Sequence, residues 1–345
     1  HSRGHVALFL PEDGALFTLT GEPDPVEGVV RWNRDAHGWP WDKISPGYNS
    51  EQNEWGYATT LTCIDIVRQK MRWQYDEPEG VDSRSVSMGN GRVFLFRFGK
   101  YLACVDADTG ALLWRKTPEN APELFQGMLG QESMRQGYAT NWRTTAYTKC
   151  TGDALYFAGP QVNGLAAVSS EDGTLLWTYP YDNFQLILRE DALYGIGGGN
   201  WEDKTSLKFA LLTGEVLAEL DFGRRACSRV TAATDAIFCR AMGGSQRLDA
   251  ETNVGEWISP MRAQCQDGVT IANGLLYWWP SVCDCQLSLY GVTALGPAGD
   301  FDFTPVATEA ERLERYPGLT PSLSRREREE SANVDWPTFK ANNQG

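Results

Sequence analysis

The residues with the widest chemical repertoire in this chain are eight cysteines, at positions 63, 104, 150, 227, 239, 265, 283 and 285. Thiolates bind soft metals and exchange into disulfides. There is no CxxC pair of a zinc ribbon and no CxxCH of a covalent haem, and the only histidines are His1, His5 and His37, which argues against structural zinc. An even cysteine count suits an oxidising compartment, periplasmic or extracellular, with one or two disulfides. Cys227 and Cys265 stand 11 and 12 residues before Phe238 and Tyr277 in two strand-like segments, and Cys283 and Cys285 follow. Two readings stay open: disulfides, such as Cys265 with Cys283 or Cys285, and a redox or copper site built from the same four.

Aromatic and polar groups suggest a second chemistry. Glu54-Trp55-Gly56-Tyr57-Ala58-Thr59 and Gly137-Tyr138-Ala139-Thr140-Asn141-Trp142-Arg143 share Gly-Tyr-Ala-Thr. On loops at one mouth, Trp55, Tyr57, Tyr138, Asn141, Trp142 and Arg143 would suit a sugar or a flat ring by stacking and hydrogen bonding; rim packing is the alternative. Arg229 and Arg240, with Arg224 and Arg225, are either internal ion-pair partners or ligands for a carboxylate. Trp278 and Trp279 complete the ligand candidates. No GxSxG or Walker loop occurs, and Gly195-Ile196-Gly197-Gly198-Gly199 has no helix after it to complete a phosphate site.

Such groups need elements to hold them, and those elements repeat. Trp32, Trp73, Trp114, Trp177 and Trp257 close segments ending VVRW, KMRW, ALLW, TLLW and VGEW, with Ala218 in the same register, at successive intervals of 41, 41, 63, 41 and 39. Four positions earlier stand Gly28, Gln69, Gly110, Gly173, Gly214 and Asn253, where a hairpin needs positive φ. Upstream strands are expected at Val93–Phe96, Leu155–Phe157, Leu193-Tyr194, Ile237-Phe238 and Leu275–Tyr277. A unit of three or four short strands cannot bury both its faces alone, so neighbours must stack, and radial stacking makes a propeller. One indole per blade is then expected to wedge between sheets. Cys63 and Cys104, in the small-residue position that Ala167 fills, are expected as buried thiols. The 63-residue interval implies an insertion within 117–150, expected on a rim.

The segment Cys104-Val105-Asp106-Ala107-Asp108-Thr109-Gly110-Ala111-Leu112-Leu113-Trp114 resembles the Ala-x-Asp-x-x-x-Gly-x-x-x-Trp docking motif of pyrroloquinoline quinone (PQQ) repeat proteins, and Ala167 to Trp177 matches it with Ser169 for Asp. That family includes alcohol and sugar dehydrogenases and the lipoprotein of the outer-membrane barrel assembly machinery. The resemblance implies an all-β fold, a β-propeller of about seven four-stranded blades, or eight, of the PQQ-repeat type. For the dehydrogenases it implies a quinone in a central funnel, stacked on a Trp beside calcium, and in the methanol and ethanol enzymes a disulfide of adjacent cysteines. No Cys-Cys pair exists here; Cys283-Asp284-Cys285 is the nearest feature, and no motif assigns calcium ligands or a catalytic Asp. Asp335-Trp336-Pro337-Thr338-Phe339-Lys340 with Asn342 and Asn343 resembles a segment that often precedes the first blade of such proteins.

Composition agrees with this outline. Of 345 residues 42% are hydrophobic, with 35 Gly and 17 Pro, which suits short strands and tight turns. A formal charge of -14 repels nucleic acid, while leaving room for a cation such as calcium. No apolar run is long enough for a membrane span, and no signal peptide opens the chain. The propeller is expected over 1–305, followed at 306–345 by a charged helical linker tail leading toward a further segment. The function expected is an interaction or ligand-binding module outside the cytoplasm, with another protein, the remainder of a longer polypeptide, or a small molecule or sugar as partner. The alternative is a quinoprotein oxidoreductase using PQQ and calcium.

Overall fold

Gly14, at φ 60°, reverses the chain between two strands, β1 (Gly4–Leu10) and β2 (Ala15–Thr20). Along β2 the residues alternate between buried and half-buried, the period expected of a strand with one face on a core. In this computed structural model the described residues are 4–10, 14–21, 57–82, 85–97, 100–128, 147–158, 164–180, 185–198, 206–225, 229–241, 243–263, 268–279 and 291–296. Among them the architecture is all-β, apart from one short helix.

Strands β1 and β2 pair on with β3 (Tyr57–Asp65) and β4 (Lys70–Asp82) as the first antiparallel sheet. The second holds β5 (Ser87–Gly89), β6 (Arg92–Arg97), β7 (Tyr101–Asp106) and β8 (Leu112–Lys116). After helix α1 (Pro122–Met128), the third holds β9 (Tyr147–Cys150), β10 (Ala154–Ala158), β11 (Leu165–Ser169) and β12 (Leu175–Tyr179). The fourth holds β13 (Gln185–Leu188), β14 (Leu193–Ile196), β15 (Leu207–Phe209) and β16 (Val216–Glu219). The fifth holds β17 (Thr231–Ala232), β18 (Ala236–Ala241), β19 (Gly244–Asp249) and β20 (Gly255–Ser259). The sixth has three described strands, β21 (Thr270–Ala272), β22 (Leu275–Trp278) and β23 (Thr293–Leu295).

Each sheet packs face to face on the next in chain order, as propeller blades do. Side-chain alternation on β6 makes this explicit: Val93 and Leu95 join the core shared with the first sheet, whereas Phe94 and Phe96 join the core shared with the third. On β10, Leu155 and Phe157 face the second sheet, and Ala154, Tyr156 and Ala158 face the fourth. A strand covered on both faces must be apolar at every position, which is why these second strands appear in the sequence as unbroken hydrophobic runs.

The turn before each outer strand follows one design. Gln69, Gly110, Gly173, Gly214 and Asn253 all have φ between 53° and 73°. The Asp106 carboxylate accepts from the Asp108 and Thr109 amides and the Thr109 hydroxyl, and Asp249 does the same with Glu251 and Thr252. The Asp of the repeated motif is therefore a turn cap. Hydrogen bonds, chiefly from Thr252, hold Asp249 down at about 2, and those from Thr109 hold Asp106 below the usual carboxylate range. A carboxylate whose folded value is depressed stabilises the fold fully above its unfolded value, about 3.9, and loses that contribution as pH falls through the folded value. Urea unfolding at stepped pH should thus give a flat stability above about pH 5 and a decline toward about pH 2, with a shallower decline in Thr252→Val; an identical acid limb in that variant would count against the turn.

The indoles do the docking. Trp73, Trp114 and Trp177 donate from Nε1 to the carbonyls of Ala107, Ser170 and Leu211 on the following sheet, at 2.9, 3.1 and 2.9 Å. Each ring lies over the turn glycine of that sheet: a Cβ on Gly110, Gly173 or Gly214 would come within 2.5–2.8 Å of it. Where Ala218 takes the indole's register, Lys208 opposes it, ion-paired to Asp191 at 2.7 Å and set 5.0 Å from the Tyr194 ring. Tyr194 Oη then reaches the equivalent carbonyl, that of Ala250, at 3.4 Å.

Two expectations are corrected, while Trp32 lies outside the described residues; β1 and β2 pair with β3 and β4 in the sheet that Trp73 closes. The insertion after Trp114 is not wholly a rim feature, since Ala121, Leu124 and Phe125 around α1 are buried with Phe94, Phe157 and Val168. Trp257 is 56% exposed and forms no wedge. In the first four sheets a bulge skips Arg72, Leu113, Leu176 or Leu217 just before the closing residue, whereas in the fifth it falls after Trp257, at Ile258. One residue of phase puts Glu256 opposite Arg247 and turns Trp257 to the other face. The expected tail, 306–345, lies outside the described residues.

Candidate functional site

The first strands of the second to sixth sheets are short, and several lie side by side: β9 adjoins β5 and β13, and β17 adjoins β21. Side chains stitch them together. Thr148 Oγ1 donates to the Ser85 carbonyl at 3.1 Å, and the Val230 amide donates to Gln185 Oε1 at 2.8 Å. Between these strands runs a groove of about 470 Å³ lined by Lys149 of β9, Ile187 and Leu188 of β13, Val230, Thr231 and Ala232 at β17, and Val269, Thr270 and Ile271 at β21. Its walls are mostly branched aliphatics, with one cation and two hydroxyls.

Lys149 has neither a hydrogen bond nor an ion pair among the described residues. Desolvation by its surroundings, together with the like charge of Arg229, holds its ammonium below the ordinary lysine value. Thr231 Oγ1 is buried without a hydrogen-bond partner, an uncommon state for a buried hydroxyl. Thr270 Oγ1 accepts from Trp279 Nε1 at 2.9 Å, which leaves its own proton to donate. Trp279 stacks on Tyr277 with ring centroids 6.2 Å apart.

The structure therefore draws Arg229 and Trp279, among the candidates read from the sequence, to the surroundings of this groove. It places Trp278 elsewhere, fully buried and donating from Nε1 to Ser245 Oγ at 2.9 Å. Arg240 is 0% exposed on β18 and is not part of the lining. Tyr57 is the first residue of β3, and the position of its side chain lies outside what is described. Trp55, Tyr138, Asn141, Trp142 and Arg143 lie outside the described residues, as do Cys227, Cys265, Cys283 and Cys285 and the docking candidate Trp32. Lys149 was not a candidate from the sequence: a single lysine in Tyr-Thr-Lys-Cys carries no signal until neighbouring first strands turn it into a shared groove.

Of the described cysteines, Cys63, Cys104 and Cys150 are free thiols, and Cys239 is buried on β18. Burial raises the Cys63 thiol and pushes Cys104 up to about 12. Since the thiolate is the reactive form, maleimide should label Cys63 and Cys104 in the native protein at least about 100-fold more slowly than after unfolding. Mass mapping of the labelled sites measures this, and labelling at the unfolded rate would contradict their burial. No group of three or more His, Cys, Asp or Glu among the described residues is arranged to hold a metal ion. The groove lining contains no carboxylate, so it does not offer calcium the oxygen cage that ion requires, and its cation would repel one.

No family model matches the chain, and no curated protein matches it either. Among solved structures, a computationally designed protein, Ika8, aligns at 12% identity over 64% of this chain with a TM-score of 0.45; the alignment spans 63% of the designed protein's length. BamB from Moraxella catarrhalis aligns at 12% identity over 69% of this chain and 81% of its own, with a TM-score of 0.38. No helix among the described residues is long and apolar enough to cross a membrane.

Proposed function

We propose that this chain is a PQQ-like β-propeller of about seven blades that works outside the cytoplasm as an interaction or ligand-binding module and not as a catalyst, with 306–345 as a linker toward a further segment. The observation that carries the reading is the groove formed where the first strands of four consecutive sheets meet, apolar on its walls and provided with a lysine whose side chain has no hydrogen bond or ion pair among the described residues. Pockets of roughly 300–1,000 Å³ with apolar walls and a few polar groups are the usual form of a small-ligand site. The repeated docking motif supports the propeller, and the missing acid in the groove supports a binder over a calcium-dependent quinoprotein.

A ligand-observed NMR screen of small fragments tests it. Hits are expected on the wild-type protein, and Leu188→Trp, which adds bulk at the groove from β13, should abolish them in a protein that still unfolds cooperatively, at a lower temperature because Leu188 also packs on the core of the third and fourth sheets. Hits that survive Leu188→Trp, or none at all, would overturn the groove as the site. In parallel, the protein given PQQ and calcium should not reduce a redox dye with alcohols or sugars; turnover would overturn the non-catalytic reading and favour the oxidoreductase.

A further inference from the structure

We propose that the groove receives an apolar carboxylate, its acid end held by Lys149, Thr231 and Thr270 and its hydrocarbon body laid on Ile187, Leu188, Val230, Val269 and Ile271; this rests on the groove being a ligand site. Every polar side chain of the lining can donate and none is acidic. Lys149 offers only donors. The Thr231 hydroxyl is buried and orphaned, and the Thr270 oxygen already accepts from Trp279, so its proton is left to donate. An ammonium and two hydroxyls with no acid beside them in the lining suit a ligand rich in acceptors at one end.

Charge points the same way. The chain carries a net charge of -14, yet the groove has no Asp or Glu in its lining, and Arg229 is near enough to act on Lys149 with like sign. The like charge that Arg229 exerts on Lys149 favours an anion beside it. The aliphatic walls require the rest of the ligand to be apolar, which separates this site from one for a free inorganic anion or a sugar. A single lysine with two hydroxyls matches one carboxylate better than a doubly charged group.

The test is calorimetric titration with octanoate, octanamide, octylamine and acetate. Octanoate should bind best, with octanamide about tenfold weaker because a charge-assisted hydrogen bond is replaced by a neutral one, acetate weaker for want of a body, and octylamine excluded by charge. Lys149→Gln should bring octanoate down to the amide's affinity, and Lys149→Arg should restore the preference, with thermal unfolding of both variants near wild type because the Lys149 side chain makes no hydrogen bond or ion pair among the described residues. Equal binding of acid and amide, or octanoate binding unaltered by Lys149→Gln, would overturn the carboxylate preference, and if Leu188→Trp still removed both ligands the groove itself would stand. No binding by any of the four, together with an empty fragment screen, would overturn the proposal and the ligand-site reading beneath it.

Discussion

Trp177→Ala is expected to lower the unfolding free energy by about 3–5 kcal/mol, seen as a shift of the urea midpoint with little change in slope. The indole is only 8% exposed and stacks on Phe209 with centroids 5.7 Å apart. It also lies 6.2 Å from Tyr156 and covers the turn at Gly214. Its loss removes a large apolar area, leaves a cavity between the third and fourth sheets, and strips the Leu211 carbonyl of one of its donors at 2.9 Å. Tyr156 Oη also donates to that carbonyl at 3.2 Å, so the hydrogen bond is the smaller part of the loss and packing the larger. Trp257→Ala makes the control. With its ring more than half exposed, it should cost less than about 1 kcal/mol. Equal costs at the two positions would overturn the distinction drawn from bulge phase.

The second large effect is expected at a polar site between the first two sheets. Glu77 is buried at 1% exposure, its carboxylate receiving the Arg115 guanidinium at 3.2 and 3.3 Å and the Tyr75 hydroxyl at 3.1 Å. Arg115 also lies over the Tyr101 ring, 4.6 Å from its centroid. Burial and the neighbouring Glu77 charge push the Tyr75 hydroxyl up to about 12, so it remains a donor through the neutral range. Arg115→Met keeps much of the bulk but removes the charge, leaving a carboxylate inside the protein with Tyr75 and the Glu79 amide as its remaining donors. Breaking such a pair from one side should cost about 2–3 kcal/mol, the lower part of the range for buried pairs because Arg115 is itself partly exposed. Adding Glu77→Leu should recover at least half of that, since an apolar replacement of both partners is often neutral. A double variant as unstable as the sum of its singles would show that the two residues act independently.

Much of this fold was legible because the same physical demand is met several times over. Second strands covered on both faces had to be hydrophobic throughout, so Val93–Phe96, Leu155–Phe157 and Ile237-Phe238 stood out without any structure. Turn residues with positive φ were equally visible at Gly110, Gly173 and Gly214. What periodicity could not convey was phase and partnership. Trp257 stands close to the repeat interval, but where the bulge falls near it is a tertiary fact. The substitution of Ala218 for an indole looked like decay of the repeat, yet Lys208, Asp191 and Tyr194 fill the same gap by ionic and aromatic means. The groove was invisible for a related reason. Its lining comes from four segments of one to three residues each, spread over more than a hundred positions, and none is unusual by itself.

Among the described residues each sheet shares its core with its neighbours in chain order, so cooperativity passes through pairwise junctions. Among the same residues the junction between the fifth and sixth sheets has few buried apolar members, Ala263, Val269 and Trp278. Fluctuations that open the structure should therefore start there and run toward the N-terminus, leaving the second and third sheets as the last cooperative unit to exchange their amides with solvent.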